Sequence, residues 1–135
     1  MTATTKDFRA AVFAEVQTWG AANFPAVPII YENGPVADED SIGPIWLDVE
    51  LRWYSGEIAT LGETPRMRHG GAVSVMCYFK ESKGTEQSDL MLDSLATTLQ
   101  ARRLGGAVLW APQRTVPSNM LGWYRVGILV PFTLG

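Results

Sequence analysis

The sequence predicts a single α+β domain, in which a mostly antiparallel or mixed sheet of about five strands carries two main helices on one face. Two observations lead to this prediction. A strand-like run over 72–80 is followed, after a turn at 81–85, by a long helical pattern that extends from Glu86 to about Leu104. The remaining strand-like runs are close enough in sequence to be joined as hairpins, which favours antiparallel pairing with the helices on one side. We assign residues 1–135 to this one domain, because 135 residues suit a single domain of ordinary size.

The first helix is predicted from an apolar stripe with three- and four-residue spacing. The stripe consists of Phe8, Val12, Val16 and Trp19. The helix is expected to end near Asn23, since Pro25 and Pro28 follow and cannot continue it. A short strand is predicted over 29–32, and an acidic loop over 36–44.

The clearest strand pattern covers 45–53, where apolar and polar residues alternate over nine positions. Ile45, Leu47, Val49, Leu51 and Trp53 share one face, and Trp46, Asp48, Glu50 and Arg52 share the other. One face is therefore expected to be buried, and the other to meet water or a partner.

The connection from Tyr54 to His69 is predicted as a long loop with room for a short strand at 57–61, and a connection of this length is more often functional than idle. In the central strand, alternate residues are predicted to face the core. They are Val73, Val75, Cys77 and Phe79. The core stripe of the second helix is Leu92, Leu95, Ala96 and Leu99, with Ser88 outside it and Arg102-Arg103 at the helix end. Gly105-Gly106 is expected to stop this helix. A strand at 107–111, a loop at 112–121 and a strand at 122–132 complete the chain.

The composition excludes several classes of protein. With 47% apolar and 19% charged residues, the chain is globular and not disordered. A net charge of -3 argues against a protein that grips nucleic-acid phosphates, since such proteins carry a basic face. Cys77 is the single cysteine, the N-terminus has no signal-peptide pattern, and no apolar run approaches the ~20 residues that span a membrane. We therefore expect a soluble protein of a reducing cytoplasm, with no membrane partner.

Catalytic and metal chemistry find little support in the available side chains. Cys77 alternates with apolar residues, and nothing in the sequence places His69, the sole histidine, beside it as a base. One histidine and one cysteine cannot build a zinc site, and the loop around Asp38 has apolar residues where calcium needs oxygen ligands. Asp48 and Glu50 are predicted to face water or a partner. We therefore expect no catalytic residue, metal or cofactor, and predict that the protein is not an enzyme.

Aromatic side chains outside the predicted core favour a role in protein contacts. Trp46 lies on the polar face of its strand, Trp53 and Tyr54 stand where the long connection begins, and Trp123 opens the last strand. Exposed aromatics without catalytic chemistry indicate protein interfaces, while the alternative is a second layer that covers them within the monomer. The candidate interface residues are Trp46, Trp53, Tyr54, Leu61, Arg66, Arg68, His69 and Trp123.

Several motifs in chain order carry a family resemblance. They are Phe8-Arg9-Ala10-Ala11-Val12, Tyr31-Glu32-Asn33, Trp46-Leu47-Asp48-Val49-Glu50-Leu51, Leu61-Gly62, Gly71-Ala72-Val73-Ser74-Val75-Met76-Cys77-Tyr78 and the closing run from Gly122 to Phe132. On these motifs, over nearly the whole chain, the sequence resembles the tail terminator and tail-completion proteins of long-tailed bacteriophages and their prophage relatives. Two departures are a missing Pro/Gly-rich turn at 78–81 and Gly127, where a proline or larger residue is usual.

What the resemblance implies is a structural protein of the virion. Members of this family form a ring, typically hexameric, at the head-proximal end of the tail tube, where the ring stops tube polymerisation and joins tail to head. The implied partners are further copies of the chain, the tail tube protein and a head-completion protein, with DNA only as cargo passing through the lumen. The implied location is the virion tail, assembled in the cytoplasm of the bacterial host.

Two alternatives differ in partner or in class. A neck or head–tail adaptor protein would use similar surfaces for a different partner. A small enzyme would need a buried polar constellation around His69 or Cys77, which a structure can test. A binding module with a regulatory function is a further alternative, which a pull-down from host lysate can test.

Overall fold

The computed structural model of the chain describes residues 5–32, 43–58, 67–80, 85–100, 102–120 and 122–134. In these ranges the chain forms two helices and eight strands. In chain order they are α1 (Thr5–Asn23), β1 (Ile29–Tyr31), β2 (Ile45–Ile58), β3 (Met67–Lys80), α2 (Thr85–Leu99), β4 (Arg103–Leu104), β5 (Ala107–Leu109), β6 (Gln113–Arg114), β7 (Ser118–Met120) and β8 (Trp123–Leu134).

All described strands belong to one mixed sheet, in the order β1-β2-β3-β8-β5-β4, with β6 and β7 also paired to β8. β1 runs parallel to β2, and every other pair is antiparallel. β8 is the centre of the sheet, because β3 lies along one of its edges and β5, β6 and β7 lie in turn along the other. The predicted α+β class with two helices and a mixed sheet is confirmed. The described residues form eight strands where about five were predicted, because β4, β6 and β7 lie outside the predicted strands.

One face of the sheet forms the core. The buried residues alternate along the strands as predicted and meet the apolar stripes of both helices. The largest fully buried side chains include Phe8, Leu47, Phe79, Met91, Leu92, Leu95, Leu99, Leu109, Ile128, Phe132 and Leu134. We call this the inner face, and the opposite side of the sheet the outer face. The rings of Phe8 and Phe132 lie 4.5 Å apart and join α1 to β8.

Polar contacts fix the two helices to each other. The indole nitrogen of Trp19 donates a hydrogen bond of 3.0 Å to the hydroxyl of Ser94. Arg102 pairs with Glu15 across the same junction. Ser88, which was predicted to lie outside the core stripe, is fully buried instead. It sits three positions before Met91 and four before Leu92, so it shares the buried side of α2 with them.

The predicted extension of the second helix to Leu104 is wrong. The helix ends at Leu99. Arg103–Leu104 then pairs with Ala107–Leu109 in a hairpin, and the loop between them has two residues. Gly105 and Gly106 both have positive φ, of 53° and 85°, which is the geometry of a type I′ turn. A paired glycine turn therefore starts a hairpin here and does not simply terminate the helix.

Two predicted loops contain strands. The connection from Tyr54 to His69 is strand at both ends, since β2 continues to Ile58 and β3 begins at Met67. The sequence there is mixed and contains two glycine positions, so apolar and polar residues do not alternate clearly. The strands form nevertheless, because antiparallel pairing of β2 with β3 overrides a weak strand propensity. The predicted loop at 112–121 contains β6 and β7, which are too short to show any period.

Candidate protein-interaction surfaces

β2 and β3 end in a hairpin arm, which we define as 55–58 with 67–70, and its last two residue pairs extend beyond the rest of the sheet. Their pairing continues to Ile58 opposite Met67, whereas β8 ends with Leu134 opposite His69. Beyond that point the arm is paired to no other described strand. The sequence predicted an irregular loop in this region, and the structure gives its two ends a defined backbone.

A bulge marks the base of the hairpin arm. Trp53 pairs with Gly71 and Ser55 pairs with Gly70, so Tyr54 has no partner on β3. A bulge bends its strand and increases the local twist. Tyr54 is 62% exposed here and Trp53 38%, which leaves two aromatic side chains open where the arm leaves the sheet.

Close packing anchors this base to the core. A Cβ at Gly71 would lie 2.0 Å from the carbonyl oxygen of Arg52 and 2.9 Å from the ring of Phe132. The ring of Trp53 meets the same phenylalanine edge-on at 5.0 Å. Glycine at 71 therefore lets β2 and β3 approach closely at the point where the arm begins.

A side chain replaces the neighbouring strand where β1 ends. β1 pairs only with Leu47–Val49, and the carboxylate of Glu32 then accepts a hydrogen bond of 3.1 Å from the backbone amide of Leu51. Arg9 lies 3.4 Å from that carboxylate. From Arg52 to Ile58, no described strand lies along the outer edge of β2. We call this stretch the open edge.

Three rings gather on the outer face at the other end of the sheet. Trp46 stacks on Tyr78 with ring centroids 4.1 Å apart and planes within 5°. Trp123 meets Trp46 edge-on at 6.1 Å, and the ammonium of Lys80 lies 4.7 Å from the Trp123 ring centre. The guanidinium of Arg125, opposite Tyr78 in the register, donates a hydrogen bond to Ser118. We call Trp46, Tyr78, Trp123 and Lys80 the aromatic cluster.

The Trp46 ring is held by stacking and not by polar contacts. Its indole nitrogen is buried and has no hydrogen-bond partner among the described residues. A buried donor without a partner costs about 1–3 kcal/mol of stability, so natural proteins rarely keep one. The contacts of this ring with Tyr78 and Trp123 hold it in place although its indole N–H has no described partner.

A half-buried carboxylate lies beside the aromatic cluster. Burial raises the pKa of Asp48 above its ordinary value, and the negative charge of Glu50 adds to this effect. Arg52 opposes the shift, while Glu32 reinforces it. The Arg52 guanidinium is bound 2.8 Å from Glu50, so the outer face of β2 carries both charges at close range.

The solvent side of α2 is acidic with one apolar residue at its centre. Leu90 is 60% exposed. Glu86 and Asp93, four positions before and three positions after Leu90, lie on its side of the helix, and the adjacent Asp89 is exposed as they are. Arg114 pairs with Asp89 at 2.6 Å and reaches Asp93 at 3.5 Å. We call Glu86, Asp89, Leu90 and Asp93 the acidic helix face.

The structure separates the predicted interface residues into two groups. Trp46 belongs to the aromatic cluster, while Trp53 and Tyr54 mark the base of the arm. Arg68 and His69 have their backbone in the arm, and Leu61 and Arg66 lie outside the described residues.

One predicted exposed ring is buried. Trp123 is only 6% exposed, because the edge of Trp46 and the Lys80 side chain cover it within the monomer. Sequence reasoning also missed Tyr78, which joins Trp46 only through the strand register. The spacing of the carboxylates around Leu90 was visible in the sequence, but their exposure was not.

The residues considered for catalysis do not come together. Cys77 and His69 lie eight residues apart on β3, which is roughly 26 Å at the usual rise of a strand. Burial raises the pKa of the Cys77 thiol to about 12, so the thiol is neutral at pH 7. Within the described ranges, no three acidic, histidine or cysteine side chains are grouped so that they could hold a metal ion. Neither described helix is long and apolar enough to cross a bilayer.

Comparison with known proteins supports the fold and leaves function open. No protein-family model matches the chain, and no curated protein matches it. A solved protein structure, whose name carries no functional information, aligns with a TM-score of 0.75 over 98% of this chain and 96% of its own length. The sequence identity is 14%, so this similarity shows a shared fold alone.

Proposed function

We propose that this protein is a structural component of a phage or prophage tail, which assembles into a ring at the head-proximal end of the tail tube and joins tail to head. The resemblance of the sequence to tail terminator proteins motivates the proposal. The observation that carries it in the structure is the hairpin arm, with its open edge and the exposed rings of Trp53 and Tyr54 at its base.

A paired hairpin that leaves the sheet is suited to reach a neighbouring protein. An open strand edge offers unpaired backbone groups, which bind an extended segment of a partner through main-chain hydrogen bonds. Exposed aromatic side chains beside such an edge add the large contact areas that dominate interface energies. In the proposed ring, the arm would contact the tail tube or the head-completion protein.

Ring closure sets a second requirement. A cyclic ring uses heterologous contacts, so each subunit needs two different surfaces that are complementary to each other. The described residues offer such surfaces on opposite sides of the sheet, since the outer face has no covering helix and α2 presents the acidic helix face to solvent. In the proposed ring, each copy of this chain therefore binds two other copies, one through each surface.

The decisive experiment measures assembly and tube capping. Purified protein is added to polymerising tail tube protein from its own phage or prophage, and the particles are examined by mass measurement and electron microscopy. We expect closed rings at tube ends and tubes that stop growing. A chain that stays monomeric at all concentrations and never binds tubes would show that the proposal is wrong.

The hairpin arm gives a more specific test. Reversing two charges, Arg66→Glu with Arg68→Glu, or deleting 57–65 is expected to impair tail joining while the domain still unfolds cooperatively. Thermal unfolding followed by circular dichroism provides the folding control. Normal yields of infectious particles with these changes would show that the arm is not the joining contact.

A further inference from the structure

The outer face carries an unusual concentration of the residue types that dominate interfaces. Trp46, Tyr78 and Trp123 lie together, with the cations Lys80 and Arg125 next to them. Trp, Tyr and Arg are the residues most enriched among those that carry binding energy. No described helix covers this face, since both helices pack on the inner face.

The chemistry of this surface specifies a partner with an apolar centre and an acidic rim. The half-buried Trp46–Tyr78 stack offers a flat apolar platform. Lys80 is exposed above the Trp123 ring, and Arg125 is held in place by Ser118. A partner surface with an aliphatic side chain between carboxylates would complement both the apolar platform and the two cations.

The acidic helix face of the same chain has this composition. Leu90 is 60% exposed and lies among Glu86, Asp89 and Asp93. Arg114 neutralises Asp89 most directly, at 2.6 Å, whereas Asp93 is 79% exposed and 3.5 Å away. Glu86 and Asp93 therefore supply the negative charge that remains available on either side of Leu90.

We propose that the aromatic cluster of one copy binds the acidic helix face of the next copy, with Leu90 packed on the Trp46–Tyr78 stack and Lys80 and Arg125 opposite Asp93 and Glu86. The two surfaces lie on opposite sides of the sheet, so the contact is head-to-tail. Repeated contacts of this kind close into a ring when the rotation between copies allows it. This inference rests on the proposed function, because the ring it describes is the proposed assembly.

A charge exchange tests the contact. Lys80→Glu and Asp93→Lys are each expected to weaken self-association about tenfold or more, because each places like charges opposite one another. The double variant Lys80→Glu with Asp93→Lys restores attraction with reversed sign, so its association is expected to return to within about threefold of the unmodified protein. Sedimentation velocity over a concentration series measures association, both for the free protein and for protein bound to tail tubes.

A second pair of variants tests the apolar centre. Leu90→Glu is expected to abolish association, since it places a carboxylate on the aromatic stack. Val116→Glu is the matched control, because Val116 is 86% exposed and lies in neither surface. Near-ultraviolet circular dichroism and unfolding curves establish that each variant is folded.

The outcomes separate this inference from the proposed function. Rings that persist in both single charge variants, or a double variant weaker than either single one, would overturn the contact and leave the ring itself standing. A protein that never forms rings, alone or on tubes, would overturn the proposed function as well. Recovery of assembly in the double variant supports the contact.

Discussion

The two edges of the sheet differ in how far their unpaired backbone groups are available to another strand. The open edge, from Arg52 to Ile58, is one continuous strand without proline, and no described strand lies along it. At the opposite side, β5, β6 and β7 follow β8 in three short pieces, with Pro112 and Pro117 between them, and the two-residue β4 lies beyond β5. We call these three strands the broken edge.

The broken edge is protected by its interruptions. Leu109 lies opposite Phe132, and Gln113 opposite Leu129, so the first interruption adds one residue on the side of the short strands. The second interruption, before β7, adds another. Short strands, bulges and prolines all prevent edge-to-edge association. The open edge carries one bulge, at Tyr54, but it has no proline and no interruption, so we expect it to be the edge that is available for a specific contact.

Both edges use side chains to bind isolated amides. Just before the open edge, the carboxylate of Glu32 accepts a hydrogen bond from the amide of Leu51, and beside the broken edge the hydroxyl of Thr115 accepts one of 2.8 Å from the amide of Gly127. One acceptor is charged and paired with Arg9, and the other is neutral. Hydrogen bonds to charged groups are the stronger class, so the two edges are expected to respond differently to loss of these side chains.

The largest effect is expected at the base of the hairpin arm. Gly71→Ala places a methyl group against the backbone of Arg52, and we expect it to lower the free energy of unfolding by about 3 kcal/mol. Urea denaturation of the monomer measures this change. Gly43→Ala is the control, because its added methyl group meets nothing within 4 Å and costs only the strain of a positive φ, about 1–2 kcal/mol. Equal losses in the two variants would contradict the close packing at Gly71.

The next effect tests the position on β2 immediately before the open edge. Glu32→Ala leaves the amide of Leu51 and the guanidinium of Arg9 without their shared acceptor, and we expect a loss of about 2 kcal/mol in the same assay. Glu32→Gln retains an acceptor and is expected to lose less. Faster hydrogen exchange at the Leu51 amide in the alanine variant would locate the change at the edge, and unchanged exchange there would contradict it.

A smaller effect is expected beside the broken edge. Thr115→Val removes the hydroxyl that binds the amide of Gly127 while keeping the shape of the side chain, at a cost of about 1 kcal/mol. Thr115→Ser keeps the hydroxyl and is the control. A loss in the valine variant larger than that in Glu32→Ala would reverse the predicted order of the two edges.

The smallest effect depends on pH. Because the pKa of Asp48 is raised in the folded protein, its ionised form is less favourable there than in the unfolded chain. Stability from this group is therefore fully present below the ordinary carboxyl pKa and falls as pH rises through the raised value. Asp48→Asn is expected to stabilise the protein at pH 7 by less than about 1 kcal/mol, since the group is half exposed. The gain should disappear near pH 3, and a gain independent of pH would point to another cause.

Sequence periodicity predicted the parts of the fold in which one side of an element is buried. The alternation at 45–53 and the helical stripe from Phe8 to Trp19 both correspond to observed elements, because burial of one face imposes the period directly. The short strands β4, β6 and β7 exist through pairing with a neighbour, and two or three residues contain no period. The extent of the hairpin arm was hidden because its residues do not alternate clearly between apolar and polar.

The candidate surfaces were predictable only in part. Trp46 stood out as an aromatic residue on a polar face, but its stack with Tyr78 depends on the register between β2 and β3, which local sequence does not specify. Trp123 looked similar in sequence and is buried, because the register between β3 and β8 places it opposite Lys80. Surfaces built across strands need the pairing first, whereas the stripe of a single helix can be inferred from spacing alone.

The central position of β8 has a consequence for the order of folding. Spatially this strand lies in the middle of the sheet, yet it is the last element in the described chain. During synthesis, β3 must wait for a partner that emerges from the ribosome more than forty residues later, by the numbering of the two strands. Such non-local pairing slows folding, to milliseconds or seconds in proteins dominated by it. Until β8 is made, the edge of β3 that will pair with it has no partner. Nascent chains are therefore expected to need chaperone protection that the finished domain does not.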